Sequence, residues 1–420
     1  MASHAIGVLG AGYVGLTTAA CLARLGHAVT CVDIDEPKVA GLRRGEVPIT
    51  EPGLAELVSG PRYTTDHREL AAAEFVFVCV PTPMGEGGQA DLSGFDGAVD
   101  ALRPVLRPGT VLVVKSTVPI GTADRLARAW PDHPVVSNPE FLREGHAVED
   151  FLHPGRVVIG SDDGAAARRT AALYAGLGAP VVRTGPASAE LAKYASNAYL
   201  ALRLSYVNVL SELCEQVGAD VGTVTRVMGL DARIGPACLD PGPGWGGSCL
   251  PKDTAALARS AADLGVDPAL LRAAVAVNER QPGRVAEKVR AVVGADGLDG
   301  IRLGLLGLTF KAGTSDLRDS PALAVARRLA AEGAVLTGYD PAVPAASPQV
   351  APVQAVDDPS LVAKGAAAIV VLTEWPEFTA LDWAQLAGLA EGDAVIDTRR
   401  LLDPAKLRSC GLTCLPLGGQ

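Results

Sequence analysis

The 420-residue sequence has no uninterrupted apolar run near the ~20 residues that a membrane-spanning helix needs. Its opening, MASHAIGVLG, carries no basic n-region, no apolar h-region and no cleavage-site pattern, so no signal peptide is expected. Positive charge is in deficit. The 37 Lys and Arg residues against 47 Asp and Glu give a formal net charge of -10, which argues against nucleic acid or an anionic membrane as a general partner. A local basic pocket for a phosphorylated small molecule remains compatible with that charge. Histidine is scarce: there are six, and none follows His153. Cys410 and Cys414 are near neighbours without a histidine in reach, so no metal site is expected. The eight cysteines are scattered, mostly singly, inside apolar segments. They read as free thiols in a reducing cytoplasm and not as a disulfide framework.

What is present is a globular composition, 48% hydrophobic and 20% charged. The chain is too long for one ordinary core, and two or three domains are expected. AIGVLG (residues 5–10) is a short β-rich run. GAGYVG follows, then an apolar-periodic segment closed by Gly26, then a second strand, AVTCVD, ending at Asp33. Strand, glycine turn, helix and strand together make the fingerprint Gly10-x-Gly12-x-x-Gly15, with an acid at the expected distance. Gly10 permits the tight turn, Gly12 lets backbone approach a pyrophosphate, and Gly15 lets the helix lie close on the strand. The helix N-terminus presents N–H groups to phosphate. Asp33 is placed to accept from a ribose 2′-hydroxyl, which favours NAD over NADP. No arginine follows it directly, although Lys38 is near.

Further strands are expected at FVFVCVPTP (75–83), TVLVVKSTVPIGT (110–122) and PVVSNPEFL. Ligands of open parallel sheets lie beyond the carboxyl ends of the strands, where Thr82, Thr117 and Glu140 fall. A single hydroxyl there is compatible with plain turn chemistry; several at successive strand ends point to a site. From about Ala187 to Ala219 the chain has no proline and no glycine before Gly218, which predicts an unusually long helix. Lys193 and Asn197 share one face of it. Either Lys193 is an exposed partner of Glu190, or both point into a site. Apolar positions on several faces would also suit a subunit interface.

The stretch GPGWGGSCLPKD, residues 242–253, delivers one cysteine at a predicted helix start. Ser248 is the expected cap, with Pro251 tolerated in the first turn. A thiol at a helix N-terminus has its pKa lowered by the dipole, and Lys252 adds positive charge nearby. Cys249 is therefore either a nucleophile or a small buried thiol. In the last third, IRLGLLGLTFK (301–311) echoes AIGVLGAGYVG without the second and third glycines, and AVLTGYDP places Asp340 where Asp33 stands. AAAIVVLTEW and DAVIDTRR read as later strands. A second doubly wound sheet is expected, less fitted to a dinucleotide, with Lys311, Arg318, Arg399 and Arg400 near its strand ends or turns.

GAGYVG, VPTP, STVPIGT, NPEFLREG, AELAKYASNAYLA, GWGGSCLPKD and FKAGTSDLRDSPA, in this order, resemble the UDP-glucose/GDP-mannose dehydrogenase family over nearly the whole chain. NPEFLREGHAVEDFLHPGRVVIG is most similar to the UDP-glucose 6-dehydrogenase branch. Trp245 stands where many members carry phenylalanine. The resemblance implies an α/β fold: two doubly wound Rossmann-like domains joined by a long central helix and a helical middle domain. The expected division is an NAD-binding domain over 1–186, a helical dimerisation domain carrying the cysteine over 187–296, and a UDP-sugar-binding domain over 297–420.

It also implies a four-electron oxidation of UDP-glucose at C6 to UDP-glucuronate with two NAD⁺, through a thiohemiacetal and a thioester on Cys249. Lys193 and Asn197 match the residues that stabilise the oxyanion. Asp253 matches the carboxylate that assists proton transfer through water, Glu140 the base for thioester hydrolysis, and Thr117 a hydroxyl near that water. Gly10, Gly12, Tyr13, Val14, Gly15, Asp33, Lys38, Thr82, Thr117, Glu144, Lys252 and Arg318 match the NAD side. Glu140, Phe141, Leu142, Arg143, Lys193, Asn197, Gly246, Phe310, Lys311 and Arg399 match the sugar-nucleotide side, with the register of Arg399 and Arg400 open. Arg233 matches an arginine that in some members reaches the neighbouring subunit's site, so a homodimer or larger homo-oligomer is implied. The same chemistry on GDP-mannose, UDP-N-acetylmannosamine or dTDP-glucose is an alternative. A single-step alcohol dehydrogenase has no use for the cysteine in GGSC, and a non-catalytic sensor has no need of Lys193, Cys249 and Asp253 together.

Overall fold

A computed structural model describes residues 3–294, 297–345 and 347–419. The first sheet holds β1 (Ala5–Leu9), β2 (Ala28–Val32), β3 (Arg62–Thr64), β4 (Phe75–Val78), β5 (Val111–Val114), β6 (Val135–Ser137), β7 (Val157–Gly160) and β8 (Val181–Thr184). Their order is β3-β2-β1-β4-β5-β6-β7-β8. The first six strands follow the doubly wound order, whose switch point between β1 and β4 opens a crevice at the carboxyl ends. The pairs are parallel except β6 and β7, which meet antiparallel at Ser137 and Gly160.

The continuous apolar runs are strands because both faces are covered. Phe75, Phe77, Val111 and Val113 enter one buried cluster. The intervening Val76, Val78, Leu112 and Val114 enter another. Alternate residues of a strand point to opposite faces, so each run feeds two cores.

The second sheet holds β9 (Arg302–Leu306), β10 (Val335–Tyr339), β11 (Gln354–Ala355), β12 (Ala368–Val371), β13 (Ala394–Asp397) and β14 (Thr413–Pro416). The order is β11-β10-β9-β12-β13-β14, parallel throughout. It repeats the arrangement of β1 to β6, as the echo between the sequence segments predicted. Leu303, Leu305, Val370 and Ile396 feed one face; Leu306, Ile369, Val371 and Val395 feed the other.

The predicted long helix runs Pro186–Val217, 32 residues. A second long helix, Ala269–Val293, was not expected and continues through Pro282. Proline removes one backbone donor from a helix interior, and this helix runs on past it. By compactness the chain forms two units. One comprises the residues up to Ser196 with Ala255–Val266; the other comprises Asn197–Thr254 with the residues from Asp267 onward. The division expected after residue 296 falls on residues 295–296, outside the described residues, as do Met1, Ala2 and Gln420 at the expected domain ends. No helix among the described residues is long and apolar enough to cross a membrane.

Candidate active site

The glycine turn after β1 has the geometry its residue types predicted. Gly10 is at φ +97°, and a Cβ on it would lie 2.7 Å from the Cys79 carbonyl oxygen. A Cβ on Gly15 would lie 1.9 Å from the Gly10 carbonyl oxygen, so only glycine allows the helix to start there. Gly12 faces open space and precedes the helix Tyr13–Arg24, and no side chain caps the helix there. An open, uncapped helix start beside a tight turn fits a pyrophosphate. Asp33 directly follows the second strand, which ends at Val32. Its Oδ2 accepts from the Ala11 N–H at 2.7 Å, and Lys38 Nζ lies 3.2 Å from both its oxygens. Lys38 thus sits on the acid that would meet a ribose. Thr82 Oγ1 donates to the Thr117 carbonyl at 2.7 Å, which joins the two strand-end segments. These residues fit the dinucleotide expected from sequence.

The second sheet uses the same turn differently. Gly307 has φ +95°, and the Leu308 N–H donates to Asp340 Oδ2 at 2.7 Å, reproducing the Ala11–Asp33 bond. That oxygen also accepts from Thr309 N, Thr309 Oγ1 and Trp375 Nε1. Asp340 is 2% exposed. The acid equivalent to Asp33 is consumed within the fold.

Lys193 is not an exposed partner of Glu190. Its ammonium lies 2.8 Å from Glu140 Oε1, and the two side chains are 4% and 6% exposed. Burial by itself raises the Glu140 carboxyl. The Lys193 charge, its hydrogen bond and the Leu142 N–H outweigh that and hold the group below its ordinary value, with Lys115 contributing. Glu140 is therefore a carboxylate, able to take a proton. Glu190 instead accepts from the Gly121 and Ala123 N–H groups at 2.6 and 2.8 Å, and burial pushes its carboxyl up to about 7. Two buried groups behind Glu140 were not expected. Lys115 donates to Asn138 Oδ1 at 3.2 Å, and Tyr174 donates to the same oxygen at 2.6 Å. Burial pushes the Lys115 ammonium down to about 8. The lysine at the end of β5 was the available signal, masked by the strand's apolar run.

Cys249, not Ser248, is the cap of the helix Leu250–Asp263. Its carbonyl accepts the Asp253 N–H at 2.9 Å, the first bond of the helix. Ser248 Oγ lies 3.4 Å from Cys249 Sγ. One turn on, Asp253 is fully buried. Its Oδ2 accepts from Asn197 Nδ2 at 2.6 Å, and its Oδ1 is paired with Lys252. Lys252, expected on the cofactor side, is thus engaged with the carboxylate one helical turn from Cys249.

The glycine stretch is held open from beneath. Asn208 Oδ1 accepts from Gly242 N, and Asn278 brackets Trp245 through both its backbone N–H and its carbonyl. The Trp245 indole N–H donates to Ser205 Oγ at 2.8 Å, a bond that phenylalanine at this position lacks. A Cβ on Gly246 would lie 1.8 Å from the Asp319 carbonyl oxygen, and one on Gly247 would lie 2.7 Å from the Phe310 ring. Sequence reasoning missed Asn208, Asn278 and Ser205. No sequence signal marks them, because both helices carry many other polar residues.

Both C-terminal arginines are engaged within the fold. Arg400 donates to the Leu417 and Gly419 carbonyls and pairs with Asp220. Arg399 donates to the Leu372 carbonyl at 2.9 Å and the Phe310 carbonyl at 3.3 Å, pairs with Glu374 at 3.1 Å, and sits 3.0 Å from the space a Cβ on Gly242 would fill. Lys311 Nζ is 5.5 Å from the Phe310 ring centroid. The Phe141 ring carries Arg156 at 3.7 Å. Arg143 pairs with Asp150, Arg318 with Asp316 and Arg233 with Asp231, each guanidinium largely exposed. The first unit contains Gly10 to Gly15, Asp33, Lys38, Thr82, Thr117, Glu140 to Glu144 and Lys193. The second contains Asn197, Arg233, Gly246, Cys249, Lys252, Asp253, Phe310, Lys311, Arg318 and Arg399.

Three domains of one family match the sequence. The NAD binding domain of the UDP-glucose/GDP-mannose dehydrogenase family matches residues 4–178, its central domain 187–280 and its UDP binding domain 304–404. The chain belongs to the UDP-glucose/GDP-mannose dehydrogenase family. It is 43% identical to a UDP-glucose 6-dehydrogenase of Rhizobium meliloti, with 98% of this chain and 99% of that protein covered. It is 40% identical to one of Pseudomonas aeruginosa, covering 98% and 96%. Among solved structures of this family, a UDP-glucose dehydrogenase from Pyrobaculum islandicum superposes with TM-score 0.88 at 35% identity, covering 100% of this chain and 98% of that one. A UDP-D-ManNAc dehydrogenase from Pyrococcus horikoshii gives TM-score 0.86 at 26% identity, with 99% of each chain covered.

Proposed function

We propose that this chain is an NAD-dependent UDP-glucose 6-dehydrogenase that oxidises the C6 alcohol of UDP-glucose to the carboxylate of UDP-glucuronate. The observation that carries the reading is Cys249 at a helix start, with buried Asp253 one turn on and held by Asn197. A single-step alcohol dehydrogenase has no use for that arrangement. The identity to UDP-glucose 6-dehydrogenases favours glucose over the other nucleotide sugars.

Bound NAD⁺ supplies the acceptor for each of the two hydrides, and Gly10, Gly12, Tyr13, Val14, Gly15, Asp33, Thr82 and Glu144 form its site. The residues of the chain do the rest. The Cys249 thiolate adds to the C6 aldehyde, forming a C–S bond and a thiohemiacetal oxyanion. Lys193 and Asn197 stabilise that oxyanion. Loss of the second hydride leaves a thioester, so the intermediate cannot escape. Glu140 takes a proton from water, whose oxygen attacks the thioester carbonyl. The C–S bond breaks, and the sulfur leaves as thiolate. Asp253 relays protons beside the sulfur. Phe141, Leu142, Arg143, Gly246, Phe310, Lys311 and Arg399 receive the sugar nucleotide. One part of the chain, residues 1–186, serves the cofactor; 187–296 presents the thiol; 297–420 holds the UDP group.

The same reading includes a homodimer. Tyr199, Tyr206, Val209, Leu213 and Val217 of the long helix are exposed. Their spacings of seven, three, four and four make one apolar stripe, which a second copy would cover. Arg233 then reaches the partner's site. A cytoplasmic location suits the free cysteines.

The test is NADH formed per UDP-glucose consumed with excess NAD⁺. Two per sugar, with an acid product, is expected. One per sugar ends the four-electron reading. No turnover on UDP-glucose with turnover on another nucleotide sugar keeps the chemistry and replaces the substrate.

A further inference from the structure

The loop of residues 46–54 carries a buried acid that the reading above leaves without a role. Glu51 is 8% exposed. Its Oε1 accepts from the Ala147 N–H at 2.6 Å, and its Oε2 accepts from the Gly145 N–H at 2.8 Å. The Tyr13 hydroxyl donates to the same Oε2, and the Gly145 N–H reaches the Tyr13 oxygen at 2.6 Å. One carboxylate therefore ties together two segments that lie 132 residues apart in sequence. Tyr13 is the first residue of the helix whose start faces the pyrophosphate position. Gly145, at φ +78°, follows directly on Phe141, Leu142, Arg143 and Glu144.

A turn of that sort, with its N–H groups aimed inward, needs an acceptor with several lone pairs. A carboxylate supplies them, whereas an amide offers one oxygen and turns an N–H₂ toward the same donors. The demand is for charge and shape together. We propose that Glu51 is a positioning residue that fixes the Tyr13 helix start and the 141–145 segment in one register. It thereby sets NAD affinity and couples it to occupancy of the sugar-nucleotide side. Glu51 itself touches no reacting atom. Its action passes through the Tyr13 hydroxyl on one side and the Gly145 and Ala147 backbone on the other. This rests on the assignment of Tyr13 and Glu144 to the cofactor and of 141–143 to the sugar nucleotide.

The coupling is reciprocal: whatever UDP-glucose does to NAD affinity through this clasp, NAD does to UDP-glucose affinity. Hydrogen bonds to a charged acceptor carry enough free energy that losing this one weakens NAD by about tenfold. The experiment is a double-mutant cycle on the full-length protein with Glu51→Gln, Tyr13→Phe and both together. NAD affinity is read by calorimetry with and without saturating UDP, and KM and kcat are read with UDP-glucose. Each single variant is expected to raise the NAD dissociation constant about tenfold, and the double variant by well short of the product of the two, because both remove the Tyr13–Glu51 bond. The effect of UDP on NAD affinity is expected to vanish in all three.

Additive losses in the cycle overturn the proposal. So does a fall in thermal midpoint with NAD affinity unchanged. If Glu51→Gln fails to fold, the cycle is run with Glu51→Asp, which keeps the charge and shortens the reach, and the same outcomes decide. Binding of NAD is measured without turnover. A wild-type protein that binds NAD yet does not oxidise UDP-glucose therefore sinks the proposed function and leaves the Glu51 test standing.

Discussion

The Lys193–Glu140 pair lets stability and activity be separated. Both charges are buried and 2.8 Å apart. Removing one partner of such a pair strands the other charge in a poorly solvated site, which costs about 3–5 kcal/mol; removing both is near neutral. Lys193→Met leaves Glu140 with burial raising its carboxyl and the Leu142 N–H and the more distant Lys115 opposing. At a urea slope of about 2 kcal/mol/M, a loss of about 4 kcal/mol moves the unfolding midpoint down by about 2 M.

The double variant Lys193→Met/Glu140→Gln is expected to recover most of that loss and none of the activity. The sign of the pH dependence follows from the directions of the shifts. In the native protein the Glu140 carboxyl is held low, so its contribution is present above the unfolded pKa and is lost as pH falls through the lower folded value. In Lys193→Met the carboxyl rises, and proton uptake then favours the folded state as pH falls. The gap between the two proteins is therefore widest near neutrality and narrows on acidification toward about pH 4. Urea unfolding followed by circular dichroism across that range measures both effects. A double variant as unstable as the single, or a gap that widens on acidification, refutes the account of the pair.

Cys249→Ser is expected to abolish steady-state turnover while NAD and UDP-glucose still bind; undiminished turnover removes the covalent mechanism. Asp33→Ala is expected to raise KM for NAD about tenfold with KM for UDP-glucose little changed, since the carboxylate directly follows the strand facing the cofactor. Equal losses for both substrates would make Asp33 a structural group only. Arg399→Ala is expected to raise KM for UDP-glucose and also to lower the thermal midpoint, since Arg399 holds Glu374 and the Leu372 and Phe310 carbonyls. Arg400→Ala is expected to lower the midpoint and spare KM, because Arg400 is spent on Asp220 and two C-terminal carbonyls. The reverse pattern would invert the register.

Both doubly wound sheets were legible because their strands are covered on two faces and read as unbroken apolar runs. The Gly10-x-Gly12-x-x-Gly15 turn was legible because backbone geometry there excludes side chains. The partner of Lys193 was not: Glu190, three residues earlier on the same helix, fits local spacing, whereas Glu140 lies 53 positions away and is brought close only by tertiary folding. Ser248 looked like the cap by residue type, yet the carbonyl that accepts the first helical bond belongs to Cys249. The asparagines under the glycine stretch carry no motif of their own.

Trp375 makes the second turn a committed one. Its indole N–H, with Thr309, closes on the acid that would otherwise greet a ribose. Anyone wishing to engineer a second cofactor pocket into this protein must begin there and not at the missing glycines. Glycine at Thr309 and Ala312 restores the spacing of the first turn, but Asp340 Oδ2 still accepts from the Leu308 and Thr309 N–H groups and the Trp375 indole. The acid of the second turn is thus spent on the chain's own donors, where its counterpart Asp33 keeps one oxygen clear of backbone donors of its own turn.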